Sequence, residues 1–242
     1  NLALNLKHDF KVFVFNNSSI NFEDKNCIWT DIKNLSNFDI IFDYAISNGD
    51  LNLLNNIESK KKFAISYSIQ TIEKFIRKKQ LIPYIVNKPK ILLIGNYHLS
   101  KRNFLTRLFG HDILSRSIDD IFNKSIICTD DNIDHHKAIY TSRQDRNMFK
   151  LINIWQNYIY PYNQNLKLFI TPEKENFENF NIFNRNMESQ KKLIDDIKTS
   201  RLMLVPGHKA ELFCLAAEEA RELCIPIVTL GIGSLKERVI HG

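Results

Sequence analysis

Residues 201–242, RLMLVPGHKAELFCLAAEEARELCIPIVTLGIGSLKERVIHG, decide the fold. The apolar run 202–205 has the length of a buried strand, and Pro206 and Gly207 are expected to break it. From about Phe213 to Cys224, strong helix formers occupy almost every position. Pro226 ends that helix, 227–230 reads as a second buried strand, and Gly231 and Gly233 follow in a loop. Strand, loop, helix, strand and Gly-containing loop, in that order, make the half-module of a doubly wound α/β domain.

Two carboxylates carry the chemistry of this stretch. Glu211 stands in the loop before the helix, and Glu219 lies eight positions on, inside it. Between them the first helical turn, around Phe213, Cys214 and Leu215, offers backbone N–H groups with no partner in the helix. Such a turn is a natural seat for a diphosphate. A carboxylate deeper in the helix can accept hydrogen bonds from ribose hydroxyls, and one at the loop can reach a sugar ring beyond the phosphates. Spacing alone leaves the alternative open: two solvated glutamates on an amphipathic helix, as Glu218 and Glu222 are read to be.

Glu211, Phe213, Cys214, Glu219, Ala220, Pro226, Val228, Gly231, Gly233, Leu235 and Glu237 resemble the donor-site signature of the group 1 glycosyltransferases. There a glutamate, seven residues and a second glutamate open the helix, followed by P-x-V and a Gly-containing loop ending in Glu. The form E-L-F-C is similar to the family's E-T-F-C variant, and the likeness spans about forty residues. It implies a retaining enzyme of two Rossmann-like doubly wound domains facing a cleft (GT-B type). The family's opening strand and Gly-turn have no counterpart before Asn1, nor its closing helices after Gly242, so a chain incomplete at both ends is expected. Leu212 and Cys224 stand where relatives commonly carry glycine.

The chain has 242 residues, 44% hydrophobic, which suffices for buried cores in one large or two small domains. No apolar run approaches the ~20 residues of a membrane span, and the N-terminus lacks a signal-peptide pattern. A cytoplasmic protein is expected, with the inner face of the membrane as an alternative location. Cys27, Cys128, Cys214 and Cys224 show no metal or disulfide spacing, so reduced thiols are expected. The net charge is +6, of which residues 1–120 hold +5, including Lys60, Lys61, Lys62, Arg77, Lys78 and Lys79. That excess reads first as solvated charge, and next as a peripheral membrane contact or a site for a lipid-linked acceptor. No nucleic-acid motif is present, and no nucleic-acid partner is expected.

Residues 1–8 read as the tail of a helix, and 11–15 (KVFVF), 38–42 (FDIIF), 62–67 (KFAISY) and 90–95 (KILLIG) as strands. A helix over 68–80 would bury Ile69, Ile72 and Ile76 on one face. His98, Lys101 and Arg102 read as the start of an exposed helix. The polar stretch 112–136 holds the interdomain connection, near Ile118. Asp130, Asp131, Asp134, His135 and His136 lack the convergent geometry of a metal site. Strand 138–141, a helix over 147–158 burying Met148, Leu151, Ile152, Trp155 and Ile159, strand 166–171 and a helix over 187–199 lead back to the opening stretch. Strands alternating with helices require a parallel sheet.

Ser142 to Asn147, SRQDRN, follows the first strand of the second half, at its carboxyl end. Arg143 or Arg146 there can hold phosphates through a bidentate guanidinium; a solvated basic loop is the alternative. The segment is similar to the family's S-x-P-D-R-G-L, matching at Ser142, Asp145 and Arg146, with Gln144 for Pro and Asn147 for Gly. The resemblance thus implies an acceptor-side domain over 1–118 and a nucleotide-sugar domain over 119–242. The implied reaction transfers a hexose from a nucleotide-diphosphate sugar to a glycan, lipid-linked or protein acceptor. Glu211 and Arg146 would be catalytic, and Ser142, Arg146, Phe213, Cys214, Leu215 and Glu219 would bind the donor, with no metal and no cofactor. The competing expectation is an inactive remnant that keeps the fold and nucleotide binding.

Overall fold

The computed structural model describes residues 6–17, 22–24, 26–114, 132–175, 177–186 and 189–240. The expected connection near Ile118, Cys128, Asp130, Asp131 and most of the expected first helix lie outside them. The chain forms two compact units. The first holds Asn1–Ser66, Gln70–Leu92 and Phe104–Asp112; the second holds Tyr67–Ile69, Leu93–Asn103 and Ile113–Gly242.

In the first unit, β1 (Val12–Asn16) pairs in parallel with β3 (Cys27–Asp31), and β2 (Phe22–Asp24) lies antiparallel on β3. A second sheet has the order β4 (Phe42–Asn48), β5 (Ser59–Ile65), β6 (Lys90–Leu93), β7 (His111–Ile113), with β4–β5 and β5–β6 parallel. Phe13 joins the two sheets, meeting Phe38 and Phe42 edge-on with centroids 5.4 and 5.5 Å apart.

Two expectations are corrected here. The run 38–42 is not a strand. Ile40 and Ile41 are 46% and 65% exposed, the Phe38 N–H closes a turn onto Leu35 O, and the ladder begins only at Phe42, opposite Ser59. The helix expected over 68–80 is only α1 (Ile72–Arg77), followed by α2 (Leu81–Asn87). The Thr71 hydroxyl caps α1 by accepting from the Lys74 N–H, which sets the helix register. That register turns Phe75 inward onto Tyr84, ring centroids 5.1 Å apart, and leaves Ile76 61% exposed.

The second unit is built on one five-stranded sheet: β8 (Asp134–Ile139), β9 (Lys167–Ile170), β10 (Ile182–Asn184), β11 (Ser200–Gly207) and β12 (Ile227–Ile232). The order is β10-β9-β8-β11-β12 and every pairing is parallel. The chain therefore winds outward in one direction from β8, then returns to β8's other side with β11. That is the doubly wound arrangement, and its direction reverses between β8 and β11. Alternate residues of the central strands feed two cores. Ile139, Met203 and Val205 pack with α5 (Gln190–Lys198) and α6 (Leu215–Glu222), while Ala138, Tyr140 and Leu204 pack with α4 (Met148–Ile154). Met148, Leu151, Ile152 and Trp155 are buried as their spacing predicts, and Ile159 packs at the edge of that core.

Pro206 and Gly207 do not break β11, which runs through Gly207 with an irregularity in its pairing to β12. Pro206 lacks an N–H, and the shift in register between Val205 and Gly207 is where the ladder does without that donor. The helix after it begins at Leu215, two residues later than expected, because Cys214 is its cap.

Candidate functional site

In an open parallel sheet, ligands bind beyond the carboxyl ends of the strands where the winding reverses. Two loops meet there. One follows β8, residues 140–147, and the other follows β11, residues 208–214. Tyr140 is fully buried and its hydroxyl donates to Arg143 O at 2.6 Å. Thr171, after β9, donates to Ser142 O at 2.6 Å, and the Asn147 amide donates to Gly207 O at 2.5 Å. The last of these ties the two loops together.

Within this frame the side chains of Ser142, Arg146, Glu211 and Cys214 converge. The Cys214 thiol lies beside the Glu211 carboxylate and Ser142. Burial, reinforced by the charge of Glu211, pushes that thiol up to about 12, so it is an inert donor. Glu211 is only 8% exposed, and its Oε2 has no hydrogen-bond partner. Burial raises its pKa, while Cys214 and the charges of Arg146 and His208 oppose the shift. A buried acceptor without a donor is costly in a folded protein.

His208 was not singled out in the sequence, although its place directly after the strand-ending Gly207 could have marked it. Its Nδ1 accepts from the Ala210 N–H at 3.1 Å and lies 3.4 Å from Arg146 Nη1. Arg143 instead forms an exposed ion pair with Asp145 at 2.8 Å, which leaves Arg146 as the cation beside Glu211.

Glu219 lies four residues into α6 from Leu215, about 6 Å along the axis. It is half-buried, and burial raises its pKa, with Arg185 the favourable charge nearby. Glu211 lies in the loop before α6, and Glu219 within the helix. Leu215 opens α6 and is half-exposed, so the N–H groups of this first turn have no acceptor within the helix. The Phe213 ring lies under the Arg238 guanidinium, 4.0 Å from its centroid. Among the described residues no group of three or more His, Cys, Asp or Glu is gathered to hold a metal. Asp134 accepts from the His136 N–H and faces Lys167.

No protein-family model and no curated protein matches the chain. Solved structures do. Sucrose-phosphate synthase from Thermosynechococcus elongatus superposes with a TM-score of 0.63 at 11% identity, over 98% of this chain and 75% of the other. The pneumococcal O-GlcNAc transferase GtfA, in complex with UDP and GlcNAc, gives 0.60 at 11% identity, over 92% and 50%. A point mutant of S. aureus TarM, in complex with fondaparinux, alpha-GlcNAc-glycerol and UDP, gives 0.57 at 14% identity, over 85% and 45%. The fold is the Rossmann-like α/β fold of these GT-B glycosyltransferases. The chain spans half or less of the length of the last two, and at these identities the likeness concerns the fold alone.

Two positions where glycine is common in the resembling family adopt left-handed backbone here. Asn147 has φ +65° and Cys224 φ +55°. Asn tolerates that region; Cys carries its Cβ penalty. Cys224 closes α6 with paired bonds, its own N–H to Arg221 O and the Ile225 N–H to Ala220 O, a Schellman end that favours glycine. Cys224→Gly is therefore expected to stabilise the protein by about 1 kcal/mol, seen as a higher melting temperature.

Glu218, expected to be solvated, is buried. It is 1% exposed, bonded by Arg238 Nη1 at 3.0 Å and paired with Arg221. Arg238 Nη2 also donates to Ile94 O at 2.8 Å. Arg238 ends α7 (Leu235–Arg238), so this side chain fixes α7 against α6 and residue 94. The neighbouring Glu237 accepts from the Tyr97 N–H at 2.9 Å. Gly95 lies so close that a Cβ there would stand 2.4 Å from Glu237 Oε1. His98, in α3 (Asn96–Ser100), and Arg102, just after it, were expected on an exposed helix and are 0% and 2% exposed. Gly233 has φ +74°, and a Cβ on it would meet His208 O at 2.3 Å. The loop bearing His208 and Glu211 rests on it, with the Ser234 N–H donating to Glu211 O at 3.1 Å.

Proposed function

We propose that this protein is a retaining glycosyltransferase that takes a hexose from a nucleotide-diphosphate sugar, with residues 119–242 binding the donor and 1–118 the acceptor. The observation that carries the reading is the buried, half-unpartnered Glu211 carboxylate beside Arg146, where the winding of the sheet reverses. A cation, helix-start N–H groups and an acceptor short of a donor are the complement of a diphosphate joined to a polyhydroxylated ring.

In this reading Arg146 and the N–H groups at Cys214 and Leu215 stabilise charge on the departing diphosphate, a preorganised electrostatic contribution. They do so without a metal ion. Glu211 accepts from sugar hydroxyls, and its charge favours the cationic character of the ring as the glycosidic bond breaks. The Cys214 thiol lies against that carboxylate. Glu219, farther along α6, accepts from the ribose hydroxyls.

The test is titration calorimetry and thermal shift with UDP, GDP, ADP and their sugars. A ligand at a hundred times its dissociation constant raises stability by about 2.7 kcal/mol. Glu219→Ala is expected to weaken the cognate nucleotide on the order of tenfold to a hundredfold, the loss of one or two charge-assisted hydrogen bonds. Free ribose-lacking diphosphate should bind wild type and variant alike. Unchanged nucleotide affinity in the variant would remove the ribose role. Absence of binding to all three nucleotides would remove the reading itself.

A further inference from the structure

The first unit presents a surface that the donor site does not use. Ile82, Ile85 and Val86 of α2 are spaced i, i+3 and i+4, on one helical face, and are 74%, 51% and 68% exposed. The opposite side of the helix buries Pro83 and Tyr84. Val86 also lines a depression of about 770 Å³ together with Ile41, Lys60, Lys61, Lys88 and Lys90. Lys62 shapes its wall, donating to Leu54 O at 2.9 Å and Asn87 Oδ1 at 2.6 Å. That bond anchors the end of α2 to β5.

Acids balance part of this charge. Asp43 pairs with Lys60 at 2.7 Å, Asp112 with Lys90 at 2.5 Å, and Glu58 lies on the rim. The excess comes from the α1–α2 hairpin. Over residues 72–90, Lys74, Arg77, Lys78, Lys79, Lys88 and Lys90 stand against Glu73 alone. Arg77, Lys78 and Lys79 are exposed, and Ile76 beside them is 61% exposed. The crowding is felt locally: burial and then the charges of Lys78 and Arg77 lower the Lys74 pKa. The hairpin is rigid, because Lys79 at φ +54° closes α1 with the bonds Lys79 N–H to Ile76 O and Gln80 N–H to Phe75 O.

Cations interleaved with exposed apolar side chains on a rigid element complement a bilayer surface bearing anionic lipid. Single-stranded nucleic acid is gripped through aromatic platforms, whereas the exposed apolar groups of this hairpin are all aliphatic. We propose that the α1–α2 hairpin docks the protein onto a membrane surface containing anionic lipids. Ile82, Ile85 and Val86 enter at headgroup depth, and Arg77, Lys78, Lys79 and Lys88 face the lipid phosphates. The inference rests on charge and exposure in the first unit and is independent of the sugar-transfer reading.

Cosedimentation of the full chain with phosphatidylcholine vesicles, with and without phosphatidylglycerol, tests it. Binding is expected only to the anionic vesicles, weakening as salt is raised. Arg77→Glu with Lys78→Glu should lower the partition coefficient about a hundredfold. Ile82→Ser with Val86→Ser should lower it about tenfold or more, and both pairs should melt as wild type because the altered side chains are exposed. Equal binding to neutral vesicles, no binding to either kind, or indifference to both variants would overturn the proposal. So would tighter salt-sensitive binding to an oligonucleotide through the same residues, or a dimer in sedimentation that Ile82→Ser with Val86→Ser abolishes.

Discussion

Glu211→Gln is expected to give a folded protein that melts higher than wild type and transfers sugar about a hundred to a thousand times more slowly. In the proposed reaction, the loss in rate follows from removing a preorganised charge next to the sugar ring. The gain in stability follows from the same burial. The folded-state pKa of Glu211 is raised, first by desolvation, so the folded protein holds this proton more tightly than the unfolded chain does. The resulting stability is fully present below the ordinary carboxylate pKa and is lost as pH rises through the elevated folded value. At neutral pH the ionised group is a net cost, which the amide removes. We expect about 1 kcal/mol, or roughly 2–4 °C for a chain of this size. Melting curves of both proteins at about pH 4 and pH 7 check it: the difference should be present at the higher pH and vanish at the lower. A variant that melts below wild type at neutral pH, or transfers at the wild-type rate, would exclude this role for Glu211.

Arg238→Ala should be the most destabilising single change among the ion pairs. It leaves the Glu218 carboxylate, 1% exposed, with Arg221 alone, whose own side chain is 56% exposed. It also strips the bond to Ile94 O and the stack on Phe213. Removing one partner of a buried pair costs about 3–5 kcal/mol, and the remaining Arg221 places the expectation at the lower end. Replacing both members, Glu218→Leu with Arg238→Met, should recover most of the loss, since apolar residues of similar volume substitute well for a buried pair. Urea denaturation of the two single variants and the double variant yields the coupling. If Arg238→Ala cost less than about 1 kcal/mol, Glu218 would be solvated after all.

Sequence by itself determined the layout of the second unit. Its strands are short apolar runs and its helices are periodic, so β8, β9, β11, β12 and the buried stripe of α4 could be placed from pattern. The segment 142–147 could be singled out because it follows a strand of a parallel sheet. The choice of Ser142 and Arg146 within it, and of Glu211 and Cys214, came from the resemblance to the donor-site signature. In the first unit the patterns placed β1, β5 and β6 but misled elsewhere. The run 38–42 is apolar yet exposed, and a threonine cap rather than isoleucine spacing set which face of α1 is buried. The edge strand β10 is three residues long and carries too little pattern to be read.

Only the tertiary structure decided which of two adjacent glutamates is buried. Glu218 and Glu219 differ by one position on the same helix, and about 100° of rotation turns one onto Arg238 and the other toward Arg185. The strand order, the left-handed Cys224 and the unpartnered Oε2 of Glu211 were likewise beyond the sequence. Each depends on what lies across a packed interface many residues away, and local composition carries no information about that.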